Sequence, residues 1–157
     1  MARTARKPAQ TQSGGKAEAA EIKPGRDPVI RTAPSPADMN GNGDIFGGWV
    51  MAQMDIAGGI TAARAAQGRV ATVAVAGMTF NKPIKVGDVV SIYCDIERLG
   101  NTSVTVKLET IVQRRLDAEP IKVTEGTFVF VAIDDEGRPR PVPRPGSKRQ
   151  AAAVRAR

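Results

Sequence analysis

The sequence contains no histidine, and Cys94 is its only cysteine in 157 residues. Without histidine there is no Ser-His-Asp or Cys-His nucleophilic machine, no imidazole acid or base, and no His-ligated zinc or iron. One cysteine forms no internal disulfide and supplies no multi-cysteine metal site. No apolar block of ~7–15 residues follows the early charges, so the N-terminal stretch does not read as a secretory signal. These absences predict an intracellular, cytoplasmic protein without a bound metal. Acid–base chemistry then falls to carboxylates, lysine or tyrosine.

Acidic residues are scarce only at the two ends. The formal net charge of +7 divides into +4 over residues 1–26, +5 over 144–157, and −2 over 27–143. The first 26 residues hold one large aliphatic side chain, Ile22, and show no apolar period. Such a segment buries too little surface to offset its ordering entropy, so both ends read as disordered basic tails around one folded domain, 27–143. A domain built to bind nucleic acid would carry its basic charge on the folded face. Specific nucleic-acid binding is therefore not expected.

The folded part opens with a short strand near Val29 and Ile30, followed by Pro34 and Pro36. Residues 47–67 read as one helix, with Trp49, Val50, Met54, Ala57, Ile60 and Ala62 on an i, i+3/i+4 stripe. Gly68 is its expected stop. Trp49, Met51 and Met54 read as core. Gly58-Gly59 in mid-helix suggests another backbone passing close by. Asp55, Gln53 and Arg64 argue against a membrane span. After Gly68 the period falls to two. Strands are expected over 70–80, 89–99, 102–113 and 121–133, separated by Gly87-Asp88 and Gly100-Asn101. Cys94 alternates with Ile92 and Ile96, which places it in the core. Short connections predict an antiparallel meander, and a single long helix packed on it gives an α+β architecture.

The loop before the helix carries the chemistry. Asp38, Asn40, Asn42 and Gly43 match the opening of an EF-hand loop, but the twelfth position is Trp49 rather than a bidentate Glu. Asp44 has two readings. It is a helix cap, since Asp is a favoured N-cap residue. Or it is a base or nucleophile beside an anion hole, with Gly47 and Gly48 exposing backbone N–H groups at the helix start. Asp55 lies about three turns away, or ~16 Å, too far to share a substrate atom with Asp44. It reads as structural or intersubunit. Lys82, Lys85 and Arg98 read as solvated surface charges or as attractors of a polyanionic ligand. Asn101-Thr102-Ser103 reads as a turn, or as a contact for phosphate or adenine.

The run Asn40-Gly41-Asn42-Gly43-Asp44-Ile45-Phe46-Gly47-Gly48-Trp49 is followed by Gln53-Met54-Asp55, then by Met78-Thr79-Phe80-Asn81-Lys82-Pro83 and Val86-Gly87-Asp88. With Asn101-Thr102-Ser103-Val104 and Asp134 to Gly137, this series resembles the hotdog-fold acyl-CoA thioesterases of the YciA type over about residues 28–143. The resemblance implies one long central helix packed on a five- to six-stranded antiparallel sheet. It also implies dimers with sites at the subunit interface, assembled as homohexamers. Activity would be hydrolysis of acyl-CoA to carboxylic acid and coenzyme A, with no cofactor beyond the coenzyme A of the substrate. Asp44 takes the catalytic position, with the Gly47 or Gly48 N–H as oxyanion donor. Substrate contacts fall on Asn42, Ile45, Phe46 and Trp49 around the helix start, and on Met78, Asn81 and Lys82 at the first long strand. The coenzyme A phosphates fall near Lys82, Arg98, Asn101, Thr102 and Ser103 of a neighbouring chain. A non-catalytic acyl-CoA sensor on the same fold is the rival reading.

Overall fold

The computed structural model describes residues 25–114 and 119–144. The tail assignments at 1–24 and 145–157 lie outside the described residues.

The elements run β1 (Ile30–Thr32), a 3-10 turn (Pro36–Asp38), α1 (Gly47–Ala66), β2 (Val70–Phe80), β3 (Val89–Leu99), β4 (Ser103–Gln113) and β5 (Ile121–Ala132). They form one five-stranded antiparallel sheet in the order β1-β3-β4-β5-β2. The expected meander holds for β3, β4 and β5. It fails for β2, which crosses to the far edge and pairs with β5 rather than β3. A period of two tells which face a side chain takes, not which strand lies beside it.

Register shifts at Thr72/Ala74, Val75/Gly77, Ile96/Arg98 and Thr110/Ile111 bend the sheet around α1. The helix buries Val50, Met54, Ala57, Gly58, Ala62 and Ala66. Facing it are Ile92, Val106, Leu108, Phe128 and Phe130, all fully buried. The close neighbour of Gly58 is a ring, not a backbone: a Cβ there would lie 2.7 Å from Phe130 Cζ. Such overpacking typically costs about 1–3 kcal/mol, so the glycine is required by the ring.

Ile60 of the expected helix stripe and Met51, expected in the core, point outward. Ile60 is 36% and Met51 38% exposed, because the sheet covers one side of α1 and these positions fall beyond its rim. The helix also ends one residue early. Gln67 takes the left-handed conformation at φ 50°, while Gly68 makes room for Arg140, whose Nη2 donates to the Ala66 carbonyl at 3.0 Å. A cation at the helix C-terminus is also favoured by the dipole. Asp55 accepts the Thr72 hydroxyl at 2.6 Å, consistent with a structural role. Cys94 is partly buried against the core, and burial pushes its thiol pKa up, as expected of a core cysteine.

At the start of the domain Arg26 is not free. Its guanidinium lies 4.9 Å above the Tyr93 ring and pairs with Asp95 and Glu109. No helix among the described residues is long and apolar enough to cross a membrane.

Candidate active site

Asp44 is placed by its own loop. Asn40 Oδ1 accepts the backbone N–H groups of Asn42 at 2.8 Å and Asp44 at 3.2 Å. Asn40 N donates to the Asp44 carbonyl at 2.7 Å, and Gly43 closes the turn at φ +78°. Asn is suited to this because its short side chain bonds the backbone two residues on. The next residues are tied outward: Ile45 N donates to Ile84 O and Phe46 N to Asp38 O, each at 2.9 Å.

The helix begins after Asp44, not on it. The N-cap is Phe46, whose side chain makes no capping bond, and the first turn carries no acid. The capping reading of Asp44 is therefore overturned. Gly47 and Gly48 donate to no acceptor among the described residues, as expected of the first N–H groups of an uncapped helix. The positive end of the α1 dipole is left without an acidic residue in the first turn.

Asp44 and Gly47 line a cleft of about 350 Å³. Asn40 and Ile45 complete the loop wall, and Val50 adds the first turn of α1. Phe80, Asn81, Lys82, Pro83 and Ile84 form the opposite wall, with Thr124 of β5 at its back. Asp44 Oδ1 is closed to solvent, and its partner is the Lys85 ammonium, with which it forms an ion pair.

The single chain gathers some of the expected residues and not others. Asp44, Ile45, Gly47, Asn81 and Lys82 line the cleft. Gly48 opens onto free space instead. Asn42, Phe46, Trp49 and Met78 lie outside the lining; Phe46 is 54% exposed, while Trp49 and Met78 pack against the core. Arg98, Asn101, Thr102 and Ser103 sit at the β3–β4 turn, which contributes nothing to this cleft. Sequence reasoning missed Asn40 as the organiser of the loop, although Asn four residues before Asp in a Gly-rich turn was the available signal. It also left Phe80 and Thr124 unassigned. Lys85, expected as a surface charge or an attractor of a polyanionic ligand, instead pairs with Asp44.

The family description "Thioesterase superfamily" matches residues 42–116. The acyl-CoA thioester hydrolase YciA of Escherichia coli K12 is 52% identical over 124 residues, covering 76% of this chain and 93% of that protein. An uncharacterized acyl-CoA thioester hydrolase of Haemophilus influenzae is 46% identical over 130 residues, covering 80% and 84%. Among solved structures, the hexameric thioesterase y2039 from Yersinia pestis superposes with a TM-score of 0.73 at 49% identity, covering 78% of this chain and 99% of that one. HI0827, a hexameric broad-specificity acyl-coenzyme A thioesterase, superposes with a TM-score of 0.71 at 44% identity, covering 83% and 90%. The long helix on a five-stranded antiparallel sheet is the hotdog fold of these neighbours. By its sequence likeness and its fold together, this chain belongs to the YciA-type acyl-CoA thioester hydrolases of the thioesterase superfamily.

Proposed function

We infer that this protein hydrolyses acyl-CoA thioesters to a carboxylic acid and free coenzyme A. The observation that carries the reading is the meeting of Asp44 and the uncapped start of α1 in one cleft. The thioester carbonyl oxygen points toward the Gly47 N–H, where developing negative charge meets a free donor and the helix dipole. Gly47 has no side chain to obstruct that approach. Asp44 takes a proton from a water that attacks the carbonyl carbon. The C–S bond then breaks, and the proton passes to the leaving thiolate. Direct attack by Asp44, giving a mixed anhydride that water then opens, uses the same two groups. Losing one oxyanion donor typically costs ~3–4 kcal/mol of transition-state stabilisation.

The reaction needs no metal or redox group; coenzyme A arrives as part of the substrate. The relatives' hexameric assembly supports a homo-oligomer here as well. The edge strand β2 is consistent with this: Val73 and Val75 are 58% and 42% exposed in the single chain. A neighbouring chain's β3–β4 turn would then bring Arg98, Asn101, Thr102 and Ser103 to the coenzyme A phosphates.

The test is release of free thiol from acetyl- to palmitoyl-CoA, with Asp44→Asn in parallel. Turnover that collapses in a folded Asp44→Asn protein supports the reading. Tight acyl-CoA binding with no turnover on any thioester would sink it and leave a sensor.

A further inference from the structure

Lys85 carries a role that its sequence context does not announce. Its Nζ forms an ion pair with Asp44 Oδ1, an oxygen closed to solvent. The main chain beneath this ammonium is fixed. Lys85 N donates to Asp88 Oδ2 at 3.0 Å, and the Lys85 carbonyl accepts from Asp88 N at 3.1 Å. Arg114 Nη2 holds the Pro83 carbonyl at 2.7 Å. The residue before Lys85 accepts a hydrogen bond from the residue after Asp44, through Ile45 N and Ile84 O. Acid and base thus stand on two segments stitched directly together.

The other nearby charges are engaged elsewhere or offer no second anchor. Asp88 is turned to Arg114, and Asp38 binds Ser35. Lys82 lines the cleft but makes no ion pair among the described residues. The Asp44 side chain is 29% exposed although Oδ1 is closed, so its exposure lies on its remaining atoms. One oxygen is held and the other is left to the cleft.

We propose that Lys85 is a positioning residue for Asp44: the ammonium anchors Oδ1 and so presents Oδ2 to the attacking water. The proposal rests on the hydrolase reading. A partly exposed ion pair adds little to stability, so its effect belongs in turnover rather than in folding.

Lys85→Met and Lys85→Arg are assayed on butyryl-CoA and on S-butyryl-N-acetylcysteamine, a thioester without phosphates. Misplacement of a reacting group by about 1 Å can cost on the order of 100-fold, so kcat of Lys85→Met should fall about 10- to 100-fold on both substrates. KM should barely move, and Lys85→Arg should recover most of the loss. Lys85→Gln replaces Lys85→Met if the latter fails to fold. A rise in KM for butyryl-CoA alone, with kcat retained, overturns the proposal and makes Lys85 a phosphate contact. Unchanged kinetics on both substrates also overturns it. A wild type inert toward both thioesters instead overturns the hydrolase reading, and an Asp44→Asn variant with full turnover overturns Asp44 as the base; either result removes the positioning role with it.

Discussion

Two aspartates in this chain sit in the same local sequence and have opposite surroundings. Gly43-Asp44 and Gly87-Asp88 are both Gly-Asp pairs, and both glycines have positive φ, 78° and 93°. Asp88 is 3% exposed and its carboxylate is answered on every side, by the Lys85 N–H and by Arg114. Asp44 opens on a cleft, with one oxygen buried against the Lys85 ammonium and the rest of its carboxylate exposed. A satisfied buried carboxylate holds a loop together. One held by a single oxygen leaves its other oxygen open to the cleft. Apart from the local Lys85 N–H on Asp88, the distinction lies in residues distant in sequence: Arg114 is 26 residues from Asp88, and Lys85 is 41 from Asp44.

The largest effect should separate the pair outright. Asp44→Asn keeps the shape and the loop bonds made by Asn40, so the thermal midpoint should stay where it is. Turnover should fall between about 100- and 10,000-fold, the usual worth of a positioned base. Asp88→Ala should do the reverse. It strands the Lys85 N–H and the Arg114 guanidinium, which costs about 1–3 kcal/mol. Thermal denaturation should show a midpoint lower by roughly 3–10 °C, while turnover per folded molecule falls far less than in Asp44→Asn. An unstable Asp44→Asn protein and an inactive but stable Asp88→Ala protein would invert the comparison.

A smaller effect sharpens the Asp44 side of it. A Cβ on Gly47 would meet the Phe80 ring at 3.3 Å, within the cleft, whereas one on Gly48 meets nothing within 4 Å. Gly47→Ala should lower kcat/KM by about tenfold, equivalent to about 1.4 kcal/mol of barrier. Gly48→Ala should leave it near wild type. A larger loss in Gly48→Ala than in Gly47→Ala would move the oxyanion donor from Gly47 to Gly48.

Much of this architecture was legible from periodicity, and what was not legible was non-local. The period of two marked β2 and β3 at their observed ends, because alternating Val, Ile and Thr between glycine turns is a local property. The neighbour of β2 was not legible, since β5 lies more than forty residues further on. The outward turn of Met51 and Ile60 was hidden for a related reason: a stripe on a helix does not reveal how far the sheet wraps around it. At the site, Asp44 and Gly47 were readable from one contiguous run. Lys85 was not, because a lysine in a polar loop looks the same whether it faces water or a carboxylate.

The weakest of these effects belongs to a third carboxylate, Glu109, on β4 and outside the cleft lining. Arg26 Nη1 donates to Glu109 Oε2 at 2.8 Å, and this bond holds the Glu109 pKa below its ordinary value of 4.5. A depressed folded-state pKa gives stability that is present in full above 4.5. It is lost as pH falls through the lower folded value, because the unfolded state then binds the proton first. Arg26→Ala should remove that contribution. At neutral pH the variant should melt slightly lower than wild type, by less than the shift in Asp88→Ala, since partly exposed pairs contribute about 1 kcal/mol at most. Below the ordinary glutamate range the two melting curves should converge, because protonated Glu109 no longer distinguishes an arginine from an alanine. A gap that stays constant from neutral to acid pH would mean that Arg26 acts through its packing on the Tyr93 ring instead of through Glu109.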